Sequence, residues 1–394
     1  MKQILEGSQA IAQTVNNINP AVVSAYPITP QTHIVEDLAK IKADGKANYE
    51  YVRAESEFAA ASIVAGASAA GARVYTATSS QGILLMTEVI FNIAGMRLPV
   101  VLTCANRGLS APITIWNDHQ DAMTIRDSGW IMLFAENHQE AVEQHVIAYK
   151  VAERTKLPVM VNIDGFVLTH TYEPVVIPTK AQIKKYLPDF KPARGEFLDP
   201  KHPVSMGAFA APAYYMEIRE DLQKDLMDSQ KVIKEEYRQF QKIVPSATKK
   251  DESAARTNNG LIEYYGPQYP KVIMVAMGSM AGTVKDFVDE RYQKKLNMKG
   301  VGLLKIKSFR PFPAQEVLKA CKNAKYVAVL EKAISLGSEG PLALEMKAAL
   351  QNKLKLKVQS FVVGLGGRDI TKNMLNKIVT DVMKPTDHLK FIGK

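Results

Sequence analysis

Ala25-Tyr-Pro-Ile-Thr-Pro-Gln-Thr32 is the stretch on which the fold turns. It follows a mostly apolar run, 21–25, that reads as a short strand. It then turns on two prolines and opens a helix expected over 33–40. Thr29 followed by Pro30 reads as a helix start: a hydroxyl at the N-cap, and a ring at the first helical position, where no N–H is needed. A strand ending in such a turn sets backbone donors and a hydroxyl at the carboxyl edge of a sheet. In open α/β folds that edge is where ligands bind. Taken alone, the turn fits a well-capped strand-to-helix connection as readily as a binding site.

Outward from this stretch, short apolar runs at 49–52, 74–78, 100–104, 131–134 and 159–163 read as strands. Helical patterns fall between them at 57–72, 82–94, 120–127 and 139–155. That alternation predicts a parallel sheet with helices on both faces. Residues 179–213 are rich in Pro and charge and read as an irregular excursion, and 214–243 as one long charged helix. Residues 245–260, with Ser-Ala-Thr-Lys-Lys-Asp-Glu-Ser, are polar and turn-rich and read as a linker. A second α/β unit follows, with strands at 271–276, 301–305, 326–330 and 358–363. The expected domains are therefore 1–244 and 261–394, joined by 245–260. Gly364-Leu-Gly-Gly-Arg368 lacks a Walker lysine and a dinucleotide fingerprint. It reads as a tight turn that admits a close backbone approach.

Bulk composition narrows the class. A chain of 394 residues is too long for one ordinary core. Its 46% hydrophobic and 23% charged content are those of a soluble globular protein. No apolar run reaches the roughly 18 residues of a membrane span. The opening Met-Lys-Gln-Ile-Leu-Glu-Gly lacks the apolar core of a signal peptide, so the cytoplasm is the expected location. Cys104 and Cys321 form no Cys-x-x-Cys pair; two thiols do not hold a cubane cluster, which takes four, nor a disulfide framework. Both read as buried, inert thiols. The net charge of +10 can draw acidic partners. The lysines are scattered, with modest clusters at Lys184-Lys185, Lys294-Lys295 and 353–357. No aromatic-interleaved basic stripe is present. Solvated surface is the favoured reading, and no nucleic-acid partner is expected.

Two further blocks bear on the opening stretch. Glu55-Ser-Glu-Phe-Ala-Ala-Ala-Ser62 leads into a helix of small residues, and Thr78-Ser-Ser-Gln-Gly-Ile-Leu-Leu-Met86 follows the next strand. With Tyr-Pro-Ile-Thr-Pro in front, they resemble the pyrimidine-binding domain of the pyruvate:ferredoxin oxidoreductase family. The likeness continues through Asn117-Asp-His-Gln-Asp121, Asp127-Ser-Gly-Trp130, Asp164-Gly-Phe166, Leu198-Asp-Pro200 and Tyr214-Tyr-Met-Glu217. The second unit resembles, more loosely, the C-terminal domain of transketolase-like proteins. Length and order match the alpha chain of the multi-subunit form. The resemblance implies oxidative decarboxylation of pyruvate on thiamine diphosphate, with coenzyme A as co-substrate and electrons passed through iron–sulfur clusters to ferredoxin. It also implies beta, gamma and delta subunits, separate or fused, that carry the [4Fe-4S] clusters. Rivals are the same chemistry on 2-oxoglutarate, branched 2-oxoacids or oxalate, a non-redox thiamine enzyme, and a scaffold subunit with a degenerate site.

Thiamine chemistry needs a buried carboxylate against the aminopyrimidine N1′. Glu57, where a strand meets the small-residue helix, fits. Sequence chemistry alone favours reading Glu57 as a first-turn acid serving the helix dipole. The resemblance selects it, as the second acid of Glu55-Ser-Glu57, for the cofactor, with Glu55 as fallback. A 2-oxoacid brings a carboxylate, and Arg107, after the strand at 100–104, can clamp it with two parallel hydrogen bonds. A surface salt bridge is the alternative for Arg107. The resemblance assigns the substrate contacts to Arg107 and Thr29. Pro27, Ile28, Ser80 and Gln81 are expected to line the pyrimidine pocket, and a turn plus helix cap at Ser80-Gln81 is compatible with that. His119 reads as a hydrogen-bonded structural residue, with a base as the alternative. Asp164-Gly165 lacks the first Gly and the later Asn of the magnesium–diphosphate motif. No metal ligands are therefore expected on this chain, and Mg2+ and the diphosphate half are assigned to a partner subunit.

Overall fold

The computed structural model describes residues 2–244, 255–293, 300–386 and 389–394. Residues 245–254 of the expected linker, and Lys294-Lys295, lie outside them. The first sheet runs Ser308–Arg310, Ile131–Phe134, Val159–Asp164, Val101–Asn106, Val74–Thr78, Val22–Ala25, Glu50–Arg53. All neighbours are parallel except Ser308–Arg310. Its central strands are buried along their whole length. A parallel sheet covered on both faces requires such continuous apolar runs.

The order of these strands locates a crevice. The chain leaves Val22–Ala25 toward Glu50–Arg53 on one side, then crosses back to Val74–Thr78 on the other. The reversal is a topological switch point, and a crevice opens there beyond the carboxyl ends of the strands. The loops beginning at Tyr26 and Ser79 flank it. The crossover back is the helix Glu57–Ala69, started by Ser56, whose Oγ accepts the Ala59 N–H at 3.1 Å. Its Ala, Gly and Ser residues allow close packing, and Ala60, Ala61, Val64 and Ala65 join the core.

Several elements depart from expectation. The helix expected over 82–94 breaks at Met86 into Gln81–Leu85 and Thr87–Gly95. A strand Gln3–Glu6, paired with Tyr172–Val175, and a helix Gly7–Ile18 precede the first expected strand. That helix buries Ile11, Val15 and Ile18, a helical stripe diluted by Gln and Asn. The excursion at 179–213 holds a short helix, Lys180–Tyr186, with a full Thr179/Gln182 capping box.

The second sheet runs Lys390–Phe391, Lys357–Val362, Tyr326–Glu331, Val272–Ala276, Val301–Ile306, Ile262–Gly266, Ala255–Asn258. The last two strands are antiparallel. Ala255–Asn258 falls within the residues read as linker. The unit docks on the first in three ways. Ser308–Arg310 extends the first sheet beside Ile131–Phe134. Phe309 and Phe312 share one apolar core with Trp130 and Phe134. Charges interlock across the seam: Lys305 meets Glu140 at 3.2 Å, Lys307 meets Glu140 at 2.9 Å, and half-buried Lys285 meets Glu136 at 2.7 Å. Burial alone would discharge Lys305, but Glu136, Glu140 and Glu263 hold its ammonium well above the usual range. Removing one partner from such a set costs about 3–5 kcal/mol. Among the described residues no helix is long and apolar enough to cross a membrane.

Candidate active site at the switch point

Asp121 organises the carboxyl edge of the first sheet. Its carboxylate is fully buried below the ends of Val74–Thr78 and Val101–Asn106. One oxygen accepts the backbone N–H groups of Ser80 and Arg107, both at 3.0 Å. The other accepts the Ala122 N–H at 2.7 Å and Asn106 Nδ2 at 3.0 Å. Burial pushes the Asp121 carboxyl up, and these N–H donors oppose that. Two loops distant in sequence are thereby fixed to one side chain. Ser80 follows with a left-handed backbone, φ 49°, uncommon for a residue with a side chain. It is N-terminal to Gln81–Leu85, yet its side chain does not cap that helix. Its Oγ donates to the Gly108 carbonyl at 2.6 Å, so the cap reading of Ser80 gives way to a tie between the two loops.

Thr29 and Arg107 meet. Arg107 Nη1 donates to the Thr29 carbonyl at 2.8 Å and Nε to the Thr114 carbonyl at 2.6 Å. The arginine is 6% exposed, and among the described residues no carboxylate forms an ion pair with its guanidinium. Desolvation pulls its pKa below the usual value. A buried cation with neutral hydrogen-bond partners is a standing anion site. Thr29 does not cap the following helix, which begins at Thr32 with Gln31 at the N-cap and no side-chain cap. The reason is Gln31. Its N–H closes the turn onto the Ile28 carbonyl at 2.8 Å, and its Nε2 reaches the Ala77 carbonyl at 2.7 Å. The Thr29 side chain is left exposed at the crevice, next to exposed Pro27 and half-buried Ile28.

The third loop brings Glu57, 7% exposed, while Glu55 is exposed. Among the described residues no hydrogen bond or ion pair engages the Glu57 carboxylate. It packs on Gly82: a Cβ there would lie 2.9 Å from Glu57 Oε1 and 2.3 Å from Thr78 Oγ1. Only glycine fits, and Gly82 is a site residue that sequence reasoning passed over. Thr78 Oγ1 is buried with no partner of its own. A desolvated, unpartnered carboxylate in a glycine cradle fits the polar edge of an aminopyrimidine. Gln81, half-buried, follows Ser80 on the same loop.

His119 and Asp164 serve another purpose. His119 Nε2 lies 2.6 Å from Asp164 Oδ1, and both are buried. Asp164 also accepts from Lys332 Nζ at 2.7 Å and from the Ser279 N–H at 3.0 Å and its hydroxyl. Lys332 and His119 hold its carboxyl well below the usual range. Lys332 and Ser279 follow strands of the second sheet, so this cluster rivets the two units. Gly367 belongs to the same seam: with φ 81°, a Cβ on it would lie 2.8 Å from Trp116 Cβ. Cys104 and Cys321 are buried and free, with both thiols pushed up by burial, Cys321 to about 12.

The site is thus an open, mainly parallel sheet with a buried acid and a buried arginine at its switch point. The chain belongs to the pyruvate flavodoxin/ferredoxin oxidoreductase family. Residues 13–239 match the thiamine-diphosphate-binding domain of that family, and residues 270–375 match core domain II of pyruvate:ferredoxin oxidoreductase. The pyruvate synthase subunit PorA of Methanothermobacter thermautotrophicus is 43% identical over 393 residues, covering 99% of this chain and 98% of that one. The corresponding subunit of Methanosarcina barkeri is 47% identical over 386 residues, covering 97% and 92%. Among solved structures, 2-oxoglutarate:ferredoxin oxidoreductase from Magnetococcus marinus, with 2-oxoglutarate, coenzyme A and succinyl-CoA bound, superposes with a TM-score of 0.68 at 20% identity. The match covers 96% of this chain, which spans 65% of that one, and it bears on the fold.

Proposed function

We propose that this chain is the alpha subunit of a heteromeric pyruvate:ferredoxin oxidoreductase and supplies its pyrimidine pocket and substrate clamp. The observation that carries the reading is a buried acid and a buried arginine at the switch point, Glu57 and Arg107, with no ion pair among the described residues. Thiamine diphosphate, when bound, would supply a nucleophilic carbon and an electron sink for decarboxylation of a 2-oxoacid. Glu57 would hold the proton at the pyrimidine N1′. Arg107 would orient the substrate carboxylate, with the exposed Thr29 hydroxyl as a further donor. Pro27, Ile28, Ser80 and Gln81 would wall the pyrimidine half. The Asp164 carboxylate is already engaged by His119, Lys332 and Ser279. This supports the view that Mg2+ and the diphosphate belong to the partner. Two buried cysteines likewise support clusters carried by the beta, gamma or delta chains, with coenzyme A as co-substrate and ferredoxin as acceptor in the cytoplasm. High identity to pyruvate synthase subunits supports pyruvate as the 2-oxoacid.

Glu57→Gln in the reconstituted complex tests this. Loss of proton transfer at N1′ should lower turnover on the order of 10²–10⁴-fold, with the subunits still co-eluting. Normal turnover in that variant would remove Glu57 from the chemistry. The isolated chain should not oxidise pyruvate. A kcat/KM for 2-oxoglutarate or a branched 2-oxoacid above that for pyruvate would reassign the substrate.

A further inference from the structure

We propose that Glu6, His33 and His170 form a binding site for a divalent transition-metal ion such as Zn2+. The three come from separate segments. Glu6 ends the strand Gln3–Glu6, His33 lies in the first turn of Thr32–Ala43, and His170 lies in the loop after Val159–Asp164. One ligating atom from each lies within 4.8 Å of the other two. His33 Nδ1 is 2.7 Å from Glu6 Oε1, and the His33 and His170 rings lie 4.5 Å apart, tilted by 39°.

The chemistry of this set selects the ion. Two imidazoles and a carboxylate suit Zn2+ and its neighbours, whereas Ca2+ and Mg2+ take oxygen ligands. Zinc bonds of roughly 2.0–2.1 Å place tetrahedral ligand atoms about 3.4 Å apart. The half-exposed His33 has the freedom to close the remaining gap by rotation. Its exposure also gives an ion a way in and leaves room for a water as fourth ligand.

The surroundings are built as an outer shell. His170 Nδ1 lies 2.6 Å from Thr169 Oγ1, which itself accepts the Phe166 N–H at 2.8 Å. A metal-bound His170 would donate Nδ1–H to that hydroxyl and present Nε2, the usual way a second shell orients a ligand. The His170 ring is held between His33 and Phe166, each at 4.5 Å. Asp37, one turn beyond His33, lies close enough to interact with both Glu6 and His33, and adds negative potential. A bound ion would tie the helix that follows the Thr29-Pro30 turn to the loop behind it. The inference does not depend on the proposed substrate or cofactor.

The test uses the full chain, stripped with chelator, and Zn2+ or Co2+ as probe. Calorimetry should give one equivalent of Zn2+, and Co2+ should show the visible bands of a tetrahedral site. Thr169→Val should weaken binding about 10–100-fold, the usual effect of losing an outer-shell partner. His33→Gln and Glu6→Gln should weaken it further. His33→Gln changes a half-exposed side chain, so its metal-free melting temperature should match wild type while the zinc-induced rise is lost. No saturable binding in wild type, or unchanged affinity in a His33→Gln/His170→Gln double variant, would overturn the proposal.

Discussion

Asp121→Asn isolates the device that fixes the site. An amide is the same shape as a carboxylate but offers one acceptor oxygen and one NH2. At Asp121 both oxygens face N–H donors: Ser80 and Arg107 on one, Ala122 and Asn106 on the other. Neither orientation of the amide is satisfied. Whichever way it turns, two N–H donors in a water-excluded space lose their acceptor and face another donor. An unsatisfied buried donor costs about 1–3 kcal/mol, so the variant should lose about 2–6 kcal/mol. For a domain of roughly 150–250 residues that is about 2–4 °C per kcal/mol, or about 4–24 °C in Tm. Activity should suffer separately, because in either orientation the four-donor clasp that fixes the loops carrying Ser80 and Arg107 is broken. The KM for the 2-oxoacid should rise even well below the variant's Tm. Differential scanning calorimetry of wild type and variant, with steady-state kinetics of the complex, reads both. A variant within about 1 kcal/mol of wild type would mean that water or backbone adjustment replaces the lost acceptor. The network described here would then not be what holds the two loops.

Arg107→Lys replaces a planar fork with a point charge; losing a charge-assisted contact of about 1.5–3 kcal/mol should lower kcat/KM for pyruvate about 10- to 150-fold. Thr29→Val should leave stability within about 0.5 kcal/mol, as for a surface substitution, while raising KM; a drop in Tm with normal kinetics would mean that the hydroxyl is structural after all. Glu331 is buried, and its carboxyl is pushed up to about 8 by desolvation. The folded state therefore holds a proton that the unfolded state has released between the ordinary carboxyl range and pH 8. Stability should fall as pH rises through that window, by up to about 1.4 kcal/mol per pH unit, and level off above it. Glu331→Gln keeps an acceptor for the Ala343 N–H, now at 2.7 Å, and should flatten that pH dependence in denaturant titrations.

What could be read from the sequence followed from how local the cause was. Val272–Ala276 is a continuous apolar run and declares itself, and Val74–Thr78, interrupted only by Thr76 and closed by Thr78, nearly does. Ser308–Arg310 is three residues long and exists because the edge of the first sheet receives it. Ala255–Asn258, with Arg, Thr and Asn in four positions, looks like loop until a neighbouring strand supplies its ladder. Glu57 was singled out by the family resemblance, because an acid opening a helix reads on its own as a partner of the helix dipole. Asp121 was quoted only as part of a motif, since its role depends on two loops 41 and 14 residues away. Thr29-Pro30 gave the wrong cap for a related reason. The local rule for helix starts was sound, but Gln31 found a long-range acceptor in Ala77, and a tertiary contact outweighed the local preference.

The treatment of buried charge separates scaffold from site. Asp164 is shielded from water and receives His119, Lys332 and Ser279. Lys305, equally shielded, is met by Glu136, Glu140 and Glu263. Burying an ion without such partners costs several kcal/mol even after relaxation, and at Asp164 and Lys305 this chain avoids that cost by building clusters. At the switch point it does not. Among the described residues the Arg107 guanidinium is given two carbonyl oxygens and no ion pair, and Glu57 is given a glycine to lie against. Opposite charges in neighbouring loops could have been joined to one another, as Arg73 and Glu153 are. Each is instead kept desolvated and available to a separate group. If Glu57 and Arg107 act as proposed, the expense is offset when an anion arrives at the arginine and a ring nitrogen at the glutamate. A 2-oxoacid lying beside an aminopyrimidine has those two features, and for that reason the unsatisfied charges say more about function than the satisfied ones.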